Sequence, residues 1–162
     1  MWVLRAGKNG MYADEILKNK RVYICWDGYD ADLSKFASHA EFITLAEKEE
    51  ENDTKVALRN RSSQLEYFCK SMKIGDYILI PKARSATFIL VKVISDYEYI
   101  PNEMGFCHTR RVEVVVPEIS SSIFPQTIKY SLGAFRNLFH VKYEDEVCKL
   151  LKENYNISIG GV

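Results

Sequence analysis

Two segments constrain this chain more than any others. One is a short apolar first strand, Trp2-Val3-Leu4-Arg5-Ala6-Gly7; the other is a central strand-turn-strand that runs from Lys73-Ile74-Gly75-Asp76-Tyr77 through Pro81 and Thr87 to Tyr99. Both carry aromatic and cationic residues at their ends, not only in their middles. That arrangement points to a pocket built from the strand ends of a small barrel, and nothing else in the sequence has the make-up of an active site.

The charge balance then limits what such a pocket can bind. Lysine plus arginine number 22 and aspartate plus glutamate 22, so the formal net charge is zero. A protein that grips many phosphates by electrostatics alone is basic throughout, so any nucleic-acid contact here has to be local. With 162 residues, 47% of them hydrophobic, the chain can bury one ordinary core. Residues 1–142 are expected to form one domain, and residues 143–162 a C-terminal helix and tail. No run of about 18 apolar residues and no signal-peptide layout is present, so a soluble cytoplasmic protein without a membrane partner is expected. Cys25, Cys69, Cys107 and Cys148 have neither zinc-ligand nor disulfide spacing. They read as small core hydrophobes, and no metal or cofactor is expected.

Along the chain, Trp2 to Ala6 reads as a strand that enters a turn at Gly7 and Asn9-Gly10, followed by a short helix over 11–19. Arg21 to Trp26 is a second strand ending at Asp27-Gly28. Asp32 is a helix-start signal, and helical patterns follow over 40–48 and, longest of all, 54–72. The acidic run Glu47 to Asp53 reads as a solvated helix end and loop that would face away from any phosphate backbone. Residues 77–81 and 87–95 form a hairpin, and Tyr97, Tyr99 and Pro101 a tail. A strand over 109–116 is punctuated by Pro117 and Pro125. A short helix near Gly133, a strand over 138–141 and an amphipathic helix over 144–153 complete the order. Strands and helices in this irregular succession indicate an α+β fold rather than a doubly wound sheet.

Catalytic constellations are missing: there is no GxSxG, no phosphate-binding glycine loop with its lysine, and no HExxH. Among the histidines, His108 stands apart because His108-Thr109-Arg110-Arg111 sets an imidazole beside cations at a strand entrance. It could meet a phosphate or a base edge there; a β-edge with solvated arginines is the structural alternative. Glu113 lacks the following lysine of a metal-dependent nuclease core. The aromatics are the better lead. Trp2, Trp26, Tyr29, Tyr77, Tyr97 and Tyr99 fall at strand ends or turns, where a ring can face a cavity. A flipped-out nucleobase needs ring faces, worth about 1–3 kcal/mol per base, and nearby polar groups for its pairing edge. Arg5, Lys8, Asp27, Lys82 and Arg84 are the candidates for edge and phosphate contacts. Packing alone also favours aromatic residues in strands, so each ring has a core reading beside its cage reading.

Taken in order, Trp2 to Gly10, Val22-Tyr23-Ile24-Cys25-Trp26-Asp27 with Asp32-Leu33-Ser34, Gln64-Leu65, Ile74 to Pro81, Tyr97 to Pro101, His108-Thr109-Arg110 and Tyr130 to Phe135 resemble the N-terminal domain that precedes the nuclease in Mrr-type restriction-system proteins. More distantly, the opening strand and the Lys73-Ile74-Gly75-Asp76 turn look like the EVE and YTH members of the PUA-like superfamily. The resemblance implies a small PUA-like β-barrel flanked by helices that reads a nucleobase, here a modified base in DNA, in an aromatic cage. It implies Trp26, Tyr97 and Tyr99 as cage residues, with Trp2 and Arg5 beneath or beside them. It also implies a fused or separate nuclease as the effector. Cys25 stands where a glycine before the tryptophan is usual, which would narrow the pocket. No nuclease follows Val162, so a separately encoded reader or an excised domain is implied.

The leading expectation is therefore a non-catalytic reader of a flipped, modified base in DNA that serves a restriction or antiphage system. A sensor or interaction domain for a nucleotide signal or phage component is the alternative, and an RNA-binding PUA-like module a third.

Overall fold

The computed structural model describes residues 1–24, 26, 29–82, 86–101 and 106–160. The expectations that fall on Cys25, Asp27, Gly28, Arg84 and Ser85 lie outside these residues. The described chain is a mixed α+β fold in which one curled, half-barrel sheet carries helices on its two sides. Its strands are β1 (Trp2–Leu4), β2 (Arg21–Ile24), β3 (Tyr77–Pro81), β4 (Thr87–Val93), β5 (Glu98–Tyr99), β6 (His108–Ser120) and β7 (Leu138–His140). The helices are α1 (Ala13–Asn19), α2 (His39–Glu49), α3 (Lys55–Glu66), α4 (Gln126–Leu132) and α5 (Glu144–Tyr155).

Pairing follows the order β2-β6-β4-β3-β1-β7, with β5 added to β6. The first strand thus lies deep in the sheet, parallel to β3 with Trp2 opposite Ile78, and antiparallel to β7 with Val3 opposite Phe139. Its sequence explains this position. Trp2, Val3 and Leu4 are all buried, so both faces of β1 need cover, which the two cores on either side of the sheet supply. Trp2 and Leu4 join Ile78, Ile80 and Val91 in one core beneath Phe42, Leu65 and Phe68 of the α2–α3 side. Val3 faces the other way and joins Leu79, Leu90, Ile128 and Val147 in a second core under α4 and α5. Residues 143–155 therefore supply the cover of that second core through Val147 and Leu151.

Three departures from the sequence-based elements have physical causes. β6 does not stop before Pro117 but continues to Ser120. Leu90 pairs with Val116 whereas Phe88 pairs with Ile119, so Pro117 falls in a bulge where no ladder N–H is required. The tail at Tyr99 is a strand, because Glu98 and Tyr99 lie opposite Thr109 and His108 on the edge of β6 that β4 has vacated. The long helix expected over 54–72 ends at Glu66, and its last turn, Tyr67–Ser71, is wound as a π-helix.

Candidate nucleic-acid interface

A cleft of about 670 Å³ opens between the turn after β1, the end of β3 and α4. Arg5, Lys8, Lys82 and Lys129 line it, and among the described residues no carboxylate does. The turn is forced by Gly7 at φ +74°, where an added Cβ would lie 2.4 Å from Cδ2 of the Tyr12 ring. Asn9, at φ 56°, completes a tight turn that projects Lys8. Arg5 is held by its own chain: Nη2 donates to the carbonyls of Gly133 at 3.0 Å and Ala134 at 2.7 Å, while its buried Nε has no partner among the described residues. Lys82 approaches Glu118 at 3.6 Å, a carboxylate that is 64% exposed. Such a solvated pair is weak and yields readily to a competing phosphate.

Met11 belongs both to this cleft and to a neighbouring pocket of about 400 Å³ whose walls are the rings of Tyr12, Tyr23 and Phe106. Phe106 meets Tyr12 edge-on at 4.9 Å and Tyr23 at 5.2 Å. Glu15 and Asn19 of α1 stand at its side, joined by an Asn19 Nδ2 to Glu15 Oε2 hydrogen bond of 3.3 Å. β2 presents Tyr23 there by simple alternation, since Val22 and Ile24 are buried and Arg21 and Tyr23 half-buried. Rings for stacking, an amide and a carboxylate that can accept from an exocyclic amine are the groups that hold and read a base.

Of the cage residues expected from the sequence, Trp26, Tyr97 and Tyr99 come together with His108 around a residue of lesser prominence, Tyr29. Trp26 tilts against Tyr29 at 5.7 Å, and the Tyr97 and Tyr99 rings lie 5.9 and 6.0 Å from His108. The cluster is tightly tied. His108, 1% exposed, donates from Nε2 to the Tyr29 carbonyl at 2.5 Å and meets the Tyr97 hydroxyl at Nδ1 at 2.7 Å. Tyr99 donates to Asp30, a bond to a carboxylate that pushes its phenol up to about 12. Burial raises the Tyr97 phenol and pushes Tyr29 up to about 12; the Tyr29 hydroxyl has no partner among the described residues.

Trp2 stands apart from this cluster. It is 2% exposed, donates from Nε1 to Asp76 Oδ2 at 2.9 Å and stacks on His140 at 3.6 Å. Arg110 is 2% exposed and serves the C-terminal end of the α3 helix, donating to Phe68 O at 2.8 Å, Cys69 O at 3.0 Å and, beyond it, Ser95 O at 3.1 Å. Arg111 is exposed and approaches Glu98 at 3.6 Å. The acidic run is also closer to the rings than its charge suggested. Arg61 pairs with Glu50 at 3.3 Å and Asp53 at 3.2 Å while its guanidinium lies 5.9 Å over the Trp26 ring. The acids thus stand on the same face as Trp26, one of the expected cage residues.

Sequence reasoning overlooked Tyr12, Tyr23, Phe106 and Lys129. The alternation of β2 held a signal for Tyr23; the placement of Lys129 depends on how α4 docks, which no local pattern encodes. Among the described residues no cluster of His, Cys, Asp and Glu could hold a metal ion, and no helix is long and apolar enough to cross a membrane. A family model described as a domain of unknown function, DUF8426, matches residues 2–133. No curated protein and no solved structure matches the chain.

Proposed function

The chain belongs to the DUF8426 family, a domain of unknown function, and from its own side chains we propose that it is a non-catalytic reader of a flipped, modified base in DNA. The observation that carries this reading is the contiguity of a cleft lined by four cations with a ring-walled pocket across Met11. Lys8, Lys82 and Lys129 would follow the phosphates, and Tyr12, Tyr23 and Phe106 would take the base. The acids near Trp26 disfavour phosphates there, which supports the cleft as the side that meets the backbone. The curled half-barrel is compatible with a PUA-like barrel, and the likeness to the N-terminal domain of Mrr-type proteins supports a role in a restriction or antiphage system. The cutting activity would belong to a fused or partner nuclease.

Titration of duplexes with and without 5-methylcytosine or 5-hydroxymethylcytosine tests the reading. Preference for one modified duplex, weakened by Tyr23→Ala or Trp26→Ala, is expected; the variant that weakens it tells which ring set takes the base. Undetectable or equal affinity for all duplexes, with no loss in either variant, defeats it.

A second reading, a nucleotide sensor, draws on the zero net charge of the chain. The cleft has the volume of a small-ligand site. A thermal-shift panel of free nucleotides separates the two, since a ligand at about 100 times its dissociation constant stabilises by about 2.7 kcal/mol.

A further inference from the structure

The α4–β7 corner exposes side chains that the cleft and the ring pocket leave unused. Tyr130 is 75% exposed, Phe135 fully so, and Tyr67 36%. A hollow of about 420 Å³ lies among Tyr67, Tyr130, Ala134, Arg136, His140 and Lys142. Its floor is aromatic, because His140 stacks on the buried Trp2 at 3.6 Å and Tyr67 tilts against the same indole at 5.8 Å. Among the described residues Arg136 and Lys142 form no ion pair and no carboxylate lines the hollow; Lys142 Nζ lies 5.3 Å over the Tyr143 ring.

Scattered single apolar residues on a surface are ordinary. Here exposed rings are interleaved with unpaired cations and no acid, a combination that an apolar protein partner would not favour, because docking it would bury those cations without partners. A strand of phosphates and bases meets both demands at once: the cations neutralise the backbone and the rings stack on any base. The hollow and the cleft are lined by neighbouring residues of α4 and the turn after it. Lys129 and Gly133 line the cleft, Tyr130 and Ala134 the hollow, and Arg5 holds the carbonyls of Gly133 and Ala134 that lie between them.

We infer that the α4–β7 corner is a second contact site that stacks the unpaired bases of single-stranded nucleic acid leaving the cleft, with Tyr130 and Phe135 as the stacking rings and Arg136 and Lys142 as phosphate contacts. This rests on the nucleic-acid reading of the cleft. It adds a preference that the cleft alone does not create, namely that a substrate with a single-stranded extension binds better than the same blunt duplex.

The test compares fluorescein-labelled blunt duplexes that carry 5-methylcytosine or 5-hydroxymethylcytosine, the same duplexes with a thymidine overhang, and the free thymidine oligomer, against wild type, Tyr130→Ala/Phe135→Ala and Lys8→Ala/Lys82→Ala. Both rings are exposed, so the first variant should fold unchanged. The inference expects it to lose affinity for the overhang substrate by about fivefold or more per ring, while blunt-duplex affinity holds. If it binds the overhang as wild type does while the lysine variant loses affinity for every substrate, the corner site is refuted and the reader function stands. If wild type binds none of the substrates, both readings fall. Concentration-dependent self-association that the ring variant abolishes would show instead a contact between copies of the chain and would overturn the inference.

Discussion

The Tyr97 hydroxyl donates its proton to Nδ1 of His108, 2.7 Å away, because the Tyr29 carbonyl, which can only accept, faces Nε2 and leaves Nδ1 of the neutral ring as the acceptor; the same hydroxyl oxygen accepts from the N–H of Leu33 at 3.3 Å. The imidazole is thereby fixed as the neutral tautomer whose Nε2–H donates to the Tyr29 carbonyl. Burial holds its pKa below the ordinary 6.5.

A pH dependence of stability follows from this bond. As pH falls below about 6.5, the unfolded chain takes up the His108 proton before the folded one does, so the stability present above that value is lost toward the lower folded pKa. The urea midpoint should drop between pH 7.5 and 5.5 in the wild type. In His108→Gln, weaker overall, that part of the drop should vanish; parallel profiles would mean that another group titrates.

Trp2 and Asp76 should behave as a coupled pair. Asp76 Oδ2 accepts from Trp2 Nε1 and from the backbone N–H of Lys73, each at 2.9 Å. Asp76→Ala strands a buried indole N–H and should cost about 2–3 kcal/mol. Trp2→Phe removes the orphaned donor, so the double variant should lose less than the sum of the singles in a denaturation cycle.

Arg110 should matter for stability more than for binding. Arg110→Met leaves the carbonyls of Phe68, Cys69 and Ser95 without their donor at a helix end where a cation is favourable. A loss of about 2–4 kcal/mol is expected, with faster amide exchange in the 67–72 turn. Arg110→Lys should restore only a part, since an ammonium cannot span the same set of carbonyls.

Salt titrations should identify the cleft lysines. Each of Lys8→Ala, Lys82→Ala and Lys129→Ala removes one lining cation. Each should reduce the slope of log affinity against log salt by about 0.9, and weaken modified and unmodified duplexes alike. A loss confined to the modified duplex would place that lysine at the base instead.

Gly7→Ala should damage both fold and recognition. Its φ of +74° disfavours any Cβ, and that Cβ would meet the Tyr12 ring at 2.4–2.5 Å. A cost of about 1–3 kcal/mol is expected, and the displaced ring should impair base preference even at temperatures where the variant is fully folded, as measured by duplex titration.

The sequence was most informative where one residue's surroundings lie within its own segment. The apolar Trp2-Val3-Leu4, the hairpin of β3 and β4, and Asp32 accepting from the N–H of Ser34 were all legible locally. Pro117 misled because a bulge set by the partner strand removes the need for its N–H. Tyr97 and Tyr99 were read as cage residues and His108 as a separate edge contact, and their spacing could not show that hydrogen bonds close them into one packed cluster. Phe106 and Lys129 reach the ring pocket and the cleft only through long-range docking, and Arg61 ties the acidic run to Trp26 from a different helix. Such couplings depend on tertiary geometry, which periodicity does not carry.

The interior position of β1 sets the order in which the molecule can be completed during synthesis. Trp2 is made before both of its partners, and it must wait for Ile78 to emerge on one side and for His140 on the other. Until β7 arrives, a nascent chain presents an apolar strand with one open edge, the kind of surface that recruits stray strands. Closing it requires contacts spanning nearly the whole chain, which makes late, slow consolidation intrinsic to this topology. The same placement that shelters Trp2 in the finished protein leaves its strand open on one edge until β7 has been made.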